Sequence, residues 1–323
     1  MLMGIVVAIA AAVVLVALYL AFVSWRIARR AEAAVPPPGA FVTIDGDRIH
    51  YVEEGRGRPV VMIHGLGGTL FNFTYPLHPL LKDEFRLISI DRPGSGYSTR
   101  SGDGPASPSE QAAFMVRFID ALGLDRPLVV GHSLGGAIAL ALALDHPDKI
   151  SGLALLAPLT HSRDAIPPEF APLYIPNKAL RWIISRTIAV PRSVKYRDAT
   201  LAFVFGPQQP PDDYAIAGGA MIGLRPSHFY ATATDCVAVA DDLKRQQERY
   251  GEIGLPVSIH FGTADRVLNC DEHGRSMDGK LPGLQLELAE GVGHMPQYAE
   301  PERVAEFIRR VARRAFADAS LAG

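Results

Sequence analysis

A serine set between glycines, in the stretch VGHSLGGA (residues 130–137), is the first candidate for chemistry in this sequence. Residues 131–135, GHSLG, fit the pattern Gly-x-Ser-x-Gly, after an apolar run and before a segment with helical spacing. A sharp turn between strand and helix would project the Ser133 hydroxyl, and glycines let the neighbouring backbone approach closely. The helix N-terminus behind Ser133 also favours developing negative charge. The stretch therefore predicts a nucleophile, provided that the chain supplies a base, an acid and donors for an oxyanion.

A base and an acid for this serine follow later in the chain, each after an apolar run. Asp265 lies in GTADRV, after VSIHFG, and His294 lies in GVGHMP, after LQLEL. A serine hydroxyl is a poor nucleophile until a base removes its proton. We expect His294 to take that proton and return it to the leaving group, and Asp265 to hold the imidazole in the right tautomer. Asp164, after the run ending in LLAPL, is an alternative acid that we rank behind Asp265.

The stretch HGLGG, residues 64–68, is the candidate source of oxyanion-hole amides. We predict that the backbone N–H groups of Leu66 and Leu134 stabilise the oxyanion. His64 is expected to support this loop, and His132 to shape the pocket rather than to act as the base. The remaining histidines show no i, i+4 or clustered spacing, and the two cysteines form no CxxC pair, so we predict no metal site.

Short apolar runs alternate with helical segments and must position these residues. FVTIDG and RIHYVEEG alternate apolar and polar residues around an Asp-Gly turn, which predicts an antiparallel hairpin. Six further runs are typical of buried parallel strands: PVVMIHG, FRLISID, PLVVGHS, ISGLALLAP, PVSIHFGTAD and LQLELAEGVGH. We predict an α/β fold with a mostly parallel eight-stranded sheet flanked by helices. Its chemistry should lie beyond the carboxyl ends of the strands.

Residues 160–248 break this alternation and are rich in proline, arginine and aromatic residues. They predict a helical lid inserted between two parts of the core, residues 41–159 and 249–323. Within the lid, residues 177–197 combine apolar and basic side chains at helical spacing. Two interpretations are open for this helix. Its apolar face roofs the pocket, which we favour, or it lies on lipid.

The stretch from Leu2 to Trp25 carries no charge and is long enough, as a helix, to cross a bilayer. A cleaved signal peptide would show basic residues before a shorter apolar run, whereas here RIARR follows the run. We therefore predict a retained transmembrane anchor with its basic flank in residues 1–30, and a stiff proline-rich linker in residues 31–40. By the positive-inside rule, the catalytic body should face the cytoplasm.

The overall composition limits the partners. The formal net charge is −2, which argues against a general nucleic-acid-binding protein. Membrane lipid is the partner expected through the N-terminal helix. The sequence leaves the oligomeric state open.

Five stretches taken together, HGLGG, DRPGSGYS, GHSLGG, GTADRV and GVGHMPQYAEPERV, resemble the α/β-hydrolase superfamily over residues 41 to the last helix. With the N-terminal span, the chain is similar to membrane-anchored monoacylglycerol-lipase-like hydrolases. The resemblance implies a Ser-His-Asp hydrolase that needs no cofactor and acts through an acyl-enzyme. A serine at the nucleophile position opposes haloalkane dehalogenase and epoxide hydrolase activity, since those members use an aspartate there.

The leading hypothesis is a membrane-anchored serine esterase or lipase that cleaves apolar acyl esters, with monoacylglycerols as one candidate class. The same triad would also serve hydrolysis of a carbon–carbon bond, acyl transfer or cofactor-free perhydrolysis. A membrane-tethered binding protein on a hydrolase scaffold is a third hypothesis, although such proteins often lack a triad member.

Overall fold

Eight strands form one sheet in the computed structural model, which describes residues 1–162 and 168–321, with side chains through residue 317. The strands are β1 Ala40–Ile44, β2 Asp47–Glu54, β3 Arg58–Ile63, β4 Phe85–Ile90, β5 Leu128–His132, β6 Gly152–Leu156, β7 Val257–Gly262 and β8 Gln285–Ala289. Their order across the sheet is β1-β2-β4-β3-β5-β6-β7-β8. β1 and β2 form an antiparallel hairpin, β2 pairs antiparallel with β4, and every later pairing is parallel. The predicted fold class is confirmed.

Twelve α-helices accompany the sheet in the described residues. They are α1 Leu2–Ala34, α2 Phe71–Thr74, α3 His78–Leu81, α4 Pro108–Ala121, α5 Leu134–Asp145, α6 Lys178–Arg186, α7 Ala189–Lys195, α8 Arg197–Phe205, α9 Pro226–Gln246, α10 Cys270–His273, α11 Pro296–Ala299 and α12 Pro301–Leu321. Short 3-10 turns occupy Pro147–Lys149, Ala171–Leu173, Ala220–Leu224, Gln247–Glu252 and Arg275–Met277.

The central strands are buried on both faces, which explains their continuous apolar runs. Val129 packs in the apolar cluster that includes α4 and α5, whereas its neighbour Val130 points to the opposite cluster with α12. Successive side chains of a strand alternate between faces, so both positions must be apolar. The parallel arrangement brings the carboxyl ends of β3 to β8 to one edge of the sheet.

The first helix, α1, is long and apolar enough to cross a membrane, and it is the one described helix that meets this criterion. Its length and composition fit a membrane anchor or a signal sequence. The helix continues through Ala34, so the first four residues of the predicted linker are helical, and Ala31 among them is buried. The prolines that stop the helix begin only at Pro36.

Helices α6 to α9 lie in the segment between β6 and β7, here called the insertion (residues 160–248). The division of the chain into anchor, linker, core and lid remains a prediction. The alternative acid Asp164 belongs to residues 163–167, which lie outside the described residues.

Candidate active site

Ser133 occupies the junction where β5 ends and α5 begins. Its backbone has φ 54° and ψ −120°, a left-handed conformation that a residue with a side chain rarely adopts. Two backbone hydrogen bonds hold it there: its N–H donates to Leu156 O at 3.1 Å, and its carbonyl accepts from Leu159 N at 3.0 Å. The serine is therefore fixed by the end of the neighbouring strand β6.

Three glycines make room for this turn. A Cβ added to Gly131 would lie 2.5 Å from Gly135 O, and one added to Gly135 would overlap Ile63 O at the end of β3. A Cβ on Gly65 would lie 2.8 Å from the Cβ of Ser133. The loop after β3 thus lies directly against the serine, where the sequence predicts the oxyanion hole.

Asp265 and His294 are brought together by the loops that follow β7 and β8. His294 Nδ1 lies 2.7 Å from Asp265 Oδ2. The other carboxylate oxygen, Oδ1, accepts hydrogen bonds from Val267 N at 2.7 Å and Leu268 N at 2.9 Å. The side chain of Asp265 is fully buried and that of His294 is 5% exposed. The carboxylate is fixed by two amides and presents its free oxygen to the imidazole.

His132 links this pair to the serine. Its Nε2 lies 2.8 Å from the backbone oxygen of His294, and the two imidazole rings are 4.8 Å apart. Since a carbonyl only accepts, Nε2 of His132 carries the proton. Burial, followed by the nearby His294, lowers the pKa of His132 to about 3, so this ring stays neutral. It supports the loop of His294 and is no candidate for the base.

The loop after β3 is held by buried polar groups. His64 Nε2 accepts from Arg92 N at 3.1 Å, so its Nδ1 donates to Gly65 O at 2.8 Å. The Arg92 side chain donates to the carbonyls of His64 and Gly65 at 3.0 and 2.9 Å. Burial and the neighbouring Arg92 hold the pKa of His64 well below its usual value. His64 thus supports the loop, in agreement with the sequence-based expectation.

The predicted oxyanion donors, Leu66 and Leu134, lie on the two segments that meet at Ser133. Leu134 is the first residue of α5, and the first N–H groups of a helix have no intrahelical acceptor. Leu66 lies in the turn closed by the Gly68 N to Gly65 O hydrogen bond of 3.2 Å. Both amides therefore belong to segments whose backbone is fixed close to the serine.

Two supports of the site escaped sequence reasoning. Arg92 is fully buried and pairs with Asp235 at 2.6 Å and Gln111 at 2.7 Å. Asp235 comes from α9 in the insertion, so no local pattern links the two residues. The only available signal is the arginine itself, which directly follows the strand in DRPGSGYS.

The second missed support is Gln208, also from the insertion. Its Oε1 accepts from Gly293 N at 2.8 Å, and its Nε2 donates to Gly291 O at 2.9 Å. Gly293 directly precedes His294, so one side chain of the insertion fixes the loop of the predicted base. A glutamine among prolines gives no sequence signal for such a contact.

In the described residues, no group of three or more His, Cys, Asp or Glu side chains is placed so that it could hold a metal ion.

Comparisons with known proteins agree on one fold. The family model described as "alpha/beta hydrolase fold" matches residues 58–301. A 2-hydroxy-6-oxo-6-phenylhexa-2,4-dienoate hydrolase of Burkholderia cepacia is 27% identical over 269 residues, which cover 80% of this chain and 90% of that protein. The dihydrolipoyllysine-residue acetyltransferase component of the acetoin cleaving system of Cupriavidus necator is 38% identical over 120 residues, but those residues cover 37% of this chain and 32% of that protein.

A solved structure shows the same fold over nearly the whole chain. The crystal structure of a membrane phospholipase A, described as a bacterial virulence factor, aligns with a TM-score of 0.66 and 23% identity. The alignment covers 97% of this chain and 98% of that one. With the family model matching most of the chain, and with the strand order and the serine turn in place, the chain belongs to the α/β-hydrolase family.

Proposed function

We propose that the chain is a membrane-anchored serine hydrolase that cleaves carboxylic esters with an apolar acyl part. Ser133 is the nucleophile, His294 the general base and acid, and Asp265 the residue that orients the imidazole. The observation that carries this proposal is the Asp265–His294 hydrogen bond of 2.7 Å beside a serine held in a strained turn. A binding protein would have no need for either feature.

The reaction follows from these roles. Nε2 of His294 accepts the hydroxyl proton while Ser133 Oγ bonds to the carbonyl carbon of the ester, and the carbonyl π electrons move to its oxygen. Collapse of this intermediate breaks the carbon–oxygen bond to the alcohol, and His294 returns the proton to the leaving oxygen. Water then attacks the acyl-enzyme by the same route, which releases the acid and restores Ser133. Asp265 stays ionised and stabilises the imidazolium.

The charge that develops on the carbonyl oxygen is assigned to the amides of Leu66 and Leu134. Loss of one oxyanion donor costs roughly 100- to 1,000-fold in kcat in enzymes of this kind. Backbone donors cannot be removed by side-chain substitution, so their position depends on what holds the loop after β3. We assign that task to His64 and Arg92, which together hydrogen-bond both carbonyls at the start of the loop.

The proposed substrate class rests on α1. A helix able to cross a bilayer brings the site close to lipids with ester bonds. The similar membrane phospholipase A aligns over 97% of this chain, which includes most of α1. Arg26, Arg29 and Arg30 directly follow the apolar stretch and favour a cytoplasmic position of the catalytic body.

A second candidate is hydrolysis of a carbon–carbon bond by the same three residues. It is favoured by the relative from Burkholderia cepacia, a dienoate hydrolase that matches 80% of this chain. The two reactions differ in the leaving group, which is a carbanion in one case and an alkoxide in the other.

The test is active-site labelling of the full chain in detergent by a fluorophosphonate, followed by competition with esters and monoacylglycerols of varied chain length. We expect one labelled residue, Ser133, no label and no p-nitrophenyl ester turnover in Ser133→Ala, and competition by esters. The matched control is Ser151→Ala, which removes another buried serine hydroxyl, at the start of β6. Folded protein without label would overturn the serine-hydrolase proposal, and competition by vinylogous diketones alone would favour the second candidate.

A further inference from the structure

Helix α6 of the insertion presents its apolar side chains outward. Trp182 is 53% exposed and Ile183 49% exposed, whereas Arg181 is 3% exposed and Ser185 is buried. This is the reverse of a surface helix that covers a core. The favoured sequence-based interpretation, an apolar face that roofs the pocket, is therefore wrong for α6.

Two nitrogens of the buried Arg181 guanidinium have partners in the body, and these contacts specify the orientation of α6. Its guanidinium donates to Ile175 O at 3.1 Å, lies 3.6 Å from Asp103 and stacks over the ring of Tyr230 at 5.2 Å. A buried arginine without such partners would be costly. The outward face of α6 is thus a stable feature of the structure.

The apolar surface continues around the corner onto α7 and is edged by cations. Seven large side chains between 40% and 55% exposed lie within it: Tyr174, Leu180, Trp182, Ile183, Ile188, Val194 and Tyr196. Arg186 lies over the Trp182 ring at 4.3 Å, and Arg192 and Lys195 lie over the Tyr196 ring at 4.8 and 5.3 Å. Aromatic rings beside Lys and Arg are the composition of helices that lie in the interface of an anionic bilayer.

The position of this surface relative to α1 matches such an interface. Residues 1–16 of α1 are exposed throughout, whereas Ala17, Ala21, Ser24 and Ala28 form a face that becomes progressively buried against the body. Ser24 Oγ donates to Thr187 O, between α6 and α7, at 2.7 Å. At about 1.5 Å per residue, Leu2 to Ser24 extends roughly 33 Å, close to the thickness of the hydrocarbon core. A membrane spanned by α1 would therefore end at the level of the α6–α7 corner.

A groove joins the two elements at this level. It has a volume of about 420 Å³ and is lined, among others, by Trp25, Arg29, Glu32, Arg186 and Arg225. Glu32 pairs with Arg29 at 3.0 Å and with Arg225 at 2.8 Å. Arg186 lies beside these pairs, at the depth where phosphate groups would lie, and complements anionic headgroups.

We propose that the exposed face of α6 and α7 rests on the anionic leaflet from which α1 emerges, as a second membrane contact. The proposal rests on the anchoring role of α1, and not on the chemistry of Ser133. Trp182, Ile183 and Ile188 enter the boundary of the acyl chains, while Arg186, Arg192 and Lys195 lie among the phosphates. The insertion is thereby held against the source of the proposed substrate.

The two tryptophans of the chain allow a direct test, because Trp25→Phe leaves Trp182 as the only one. The full chain carrying this substitution is placed, one copy per disc, in nanodiscs of phosphatidylcholine with or without phosphatidylglycerol. Lipids brominated near the headgroup report contact, and acrylamide reports exposure to water. We expect loss of Trp182 emission to the brominated anionic lipid and protection from acrylamide. Trp182 that is open to acrylamide and unquenched in both lipids would overturn the proposal.

The matched control moves the tryptophan to the opposite edge of the sheet. Phe85→Trp, in a chain with Trp25→Phe and Trp182→Phe, lies at the start of β4 and should not be quenched by the lipid. Arg192→Gln with Lys195→Gln should weaken docking roughly 30-fold, since each cation near an anionic surface contributes about 1 kcal/mol. Quenching of Trp182 should then fall in anionic discs.

Three further outcomes separate the alternatives. Protection of Trp182 only in discs that carry two copies would assign the surface to a second copy of the chain and overturn the lipid proposal. Quenching of equal strength at Phe85→Trp would mean unspecific contact with the disc and would also overturn it. Fluorophosphonate labelling of the same samples reports Ser133 separately, so that failure of docking and failure of the proposed hydrolase are distinguishable.

Discussion

At the scale of single residues, Asp265 divides its two carboxylate oxygens between different partners. Oδ1 is saturated by the amides of Val267 and Leu268, and Oδ2 is left for His294. Hydrogen bonds to both oxygens fix the plane of the carboxylate. The side chain of Asp265 is therefore held in one orientation toward His294.

Asp265→Asn tests this role. An amide of the same shape keeps the packing but turns the imidazole to the wrong tautomer, so we expect kcat to fall by about 10,000-fold. The prediction is checked by comparing the ester turnover of purified Asp265→Asn and Asp164→Asn at equal concentrations of folded protein. Asp164→Asn should retain most activity, and the reverse order would transfer the acid role to Asp164.

His228 makes a second prediction, on stability against pH. It is buried between the loops of the site, where Nδ1 accepts from Gly96 N at 3.0 Å and Nε2 donates to Gly67 O at 3.1 Å. Burial lowers the pKa of His228 from 6.5 to about 4. Above about pH 6.5 the His228 ring is neutral in both the folded and the unfolded chain, whereas between pH 6.5 and about 4 the ring binds a proton only in the unfolded chain. On account of this residue, the free energy of unfolding should therefore fall by roughly 1.4 kcal/mol for each unit by which the pH is lowered within this range.

Thermal unfolding of the full chain in detergent at pH 7, 6 and 5 measures this effect. His228→Asn should lose less Tm on acidification than the parent chain, whatever its Tm at pH 7. The control is His146→Asn, a substitution in the surface turn after α5. An equal pH dependence for His228→Asn and the parent would contradict the assignment.

At the scale of elements, the insertion supports the site from outside the core. Its residue Gln208 ties together the two sides of the loop that carries His294. Displacement of a catalytic group by about 1 Å can cost roughly 100-fold in rate. The insertion thus supplies a positioning residue for the proposed base.

Gln208→Ala should therefore lower kcat by about 10- to 100-fold, since the loop loses its clamp while the binding surface for the ester stays intact. KM and Tm should change little, which separates a positioning role from a merely structural one. Gln209→Ala, the same change at the exposed neighbouring position, is the matched control. Equal kinetics for the two variants would remove Gln208 from the site.

The elements themselves were predictable because their signals are local. Helix α5 directly follows the predicted serine turn, and five of the eight strands lie within the predicted runs, whereas β1, β2 and β3 begin one residue earlier. Local patterns do not tell which face of a helix is turned toward the protein body. Periodicity identifies the two faces of α6, but only the tertiary partners Asp103 and Tyr230 of Arg181 decide which one is buried. For the same reason, the pairing of Arg92 with Asp235 across 143 residues could not be foreseen.

At the scale of the whole molecule, α1 has an exposed first half, which belongs to the proposed span, and a second half that packs on the body. Its buried face, Ala17 to Ala31, packs on the insertion, and Glu32 pairs with Arg225 at 2.8 Å. Removal of the anchor and removal of this packing are therefore different experiments.

Deletion of residues 2–16 should turn a protein that only detergent extracts into one that salt or carbonate releases from membranes, because the α6–α7 contact is then the one that remains, and it should leave Tm nearly unchanged, because these residues are exposed throughout. Deletion through Arg30 should lower Tm, since it also removes Ser24 and Ala28 from the insertion. Extraction of membranes with salt, carbonate and detergent, together with thermal unfolding, compares the two chains. Equal Tm values would mean that the packed half of α1 contributes no stability.

The continuity of α1 has a mechanical consequence. Because α1 is one continuous helix, a tilt or torque applied to its exposed half is transmitted to the half that packs on the body. In the packed half, Glu32 accepts a hydrogen bond from Arg225, and the same guanidinium donates to Gly96 O. Gly96 in turn is tied through His228 to Gly67, the neighbour of Leu66. In the proposed anchored state, strain in the bilayer would therefore be transmitted through these contacts to the loop that is assigned to hold the oxyanion.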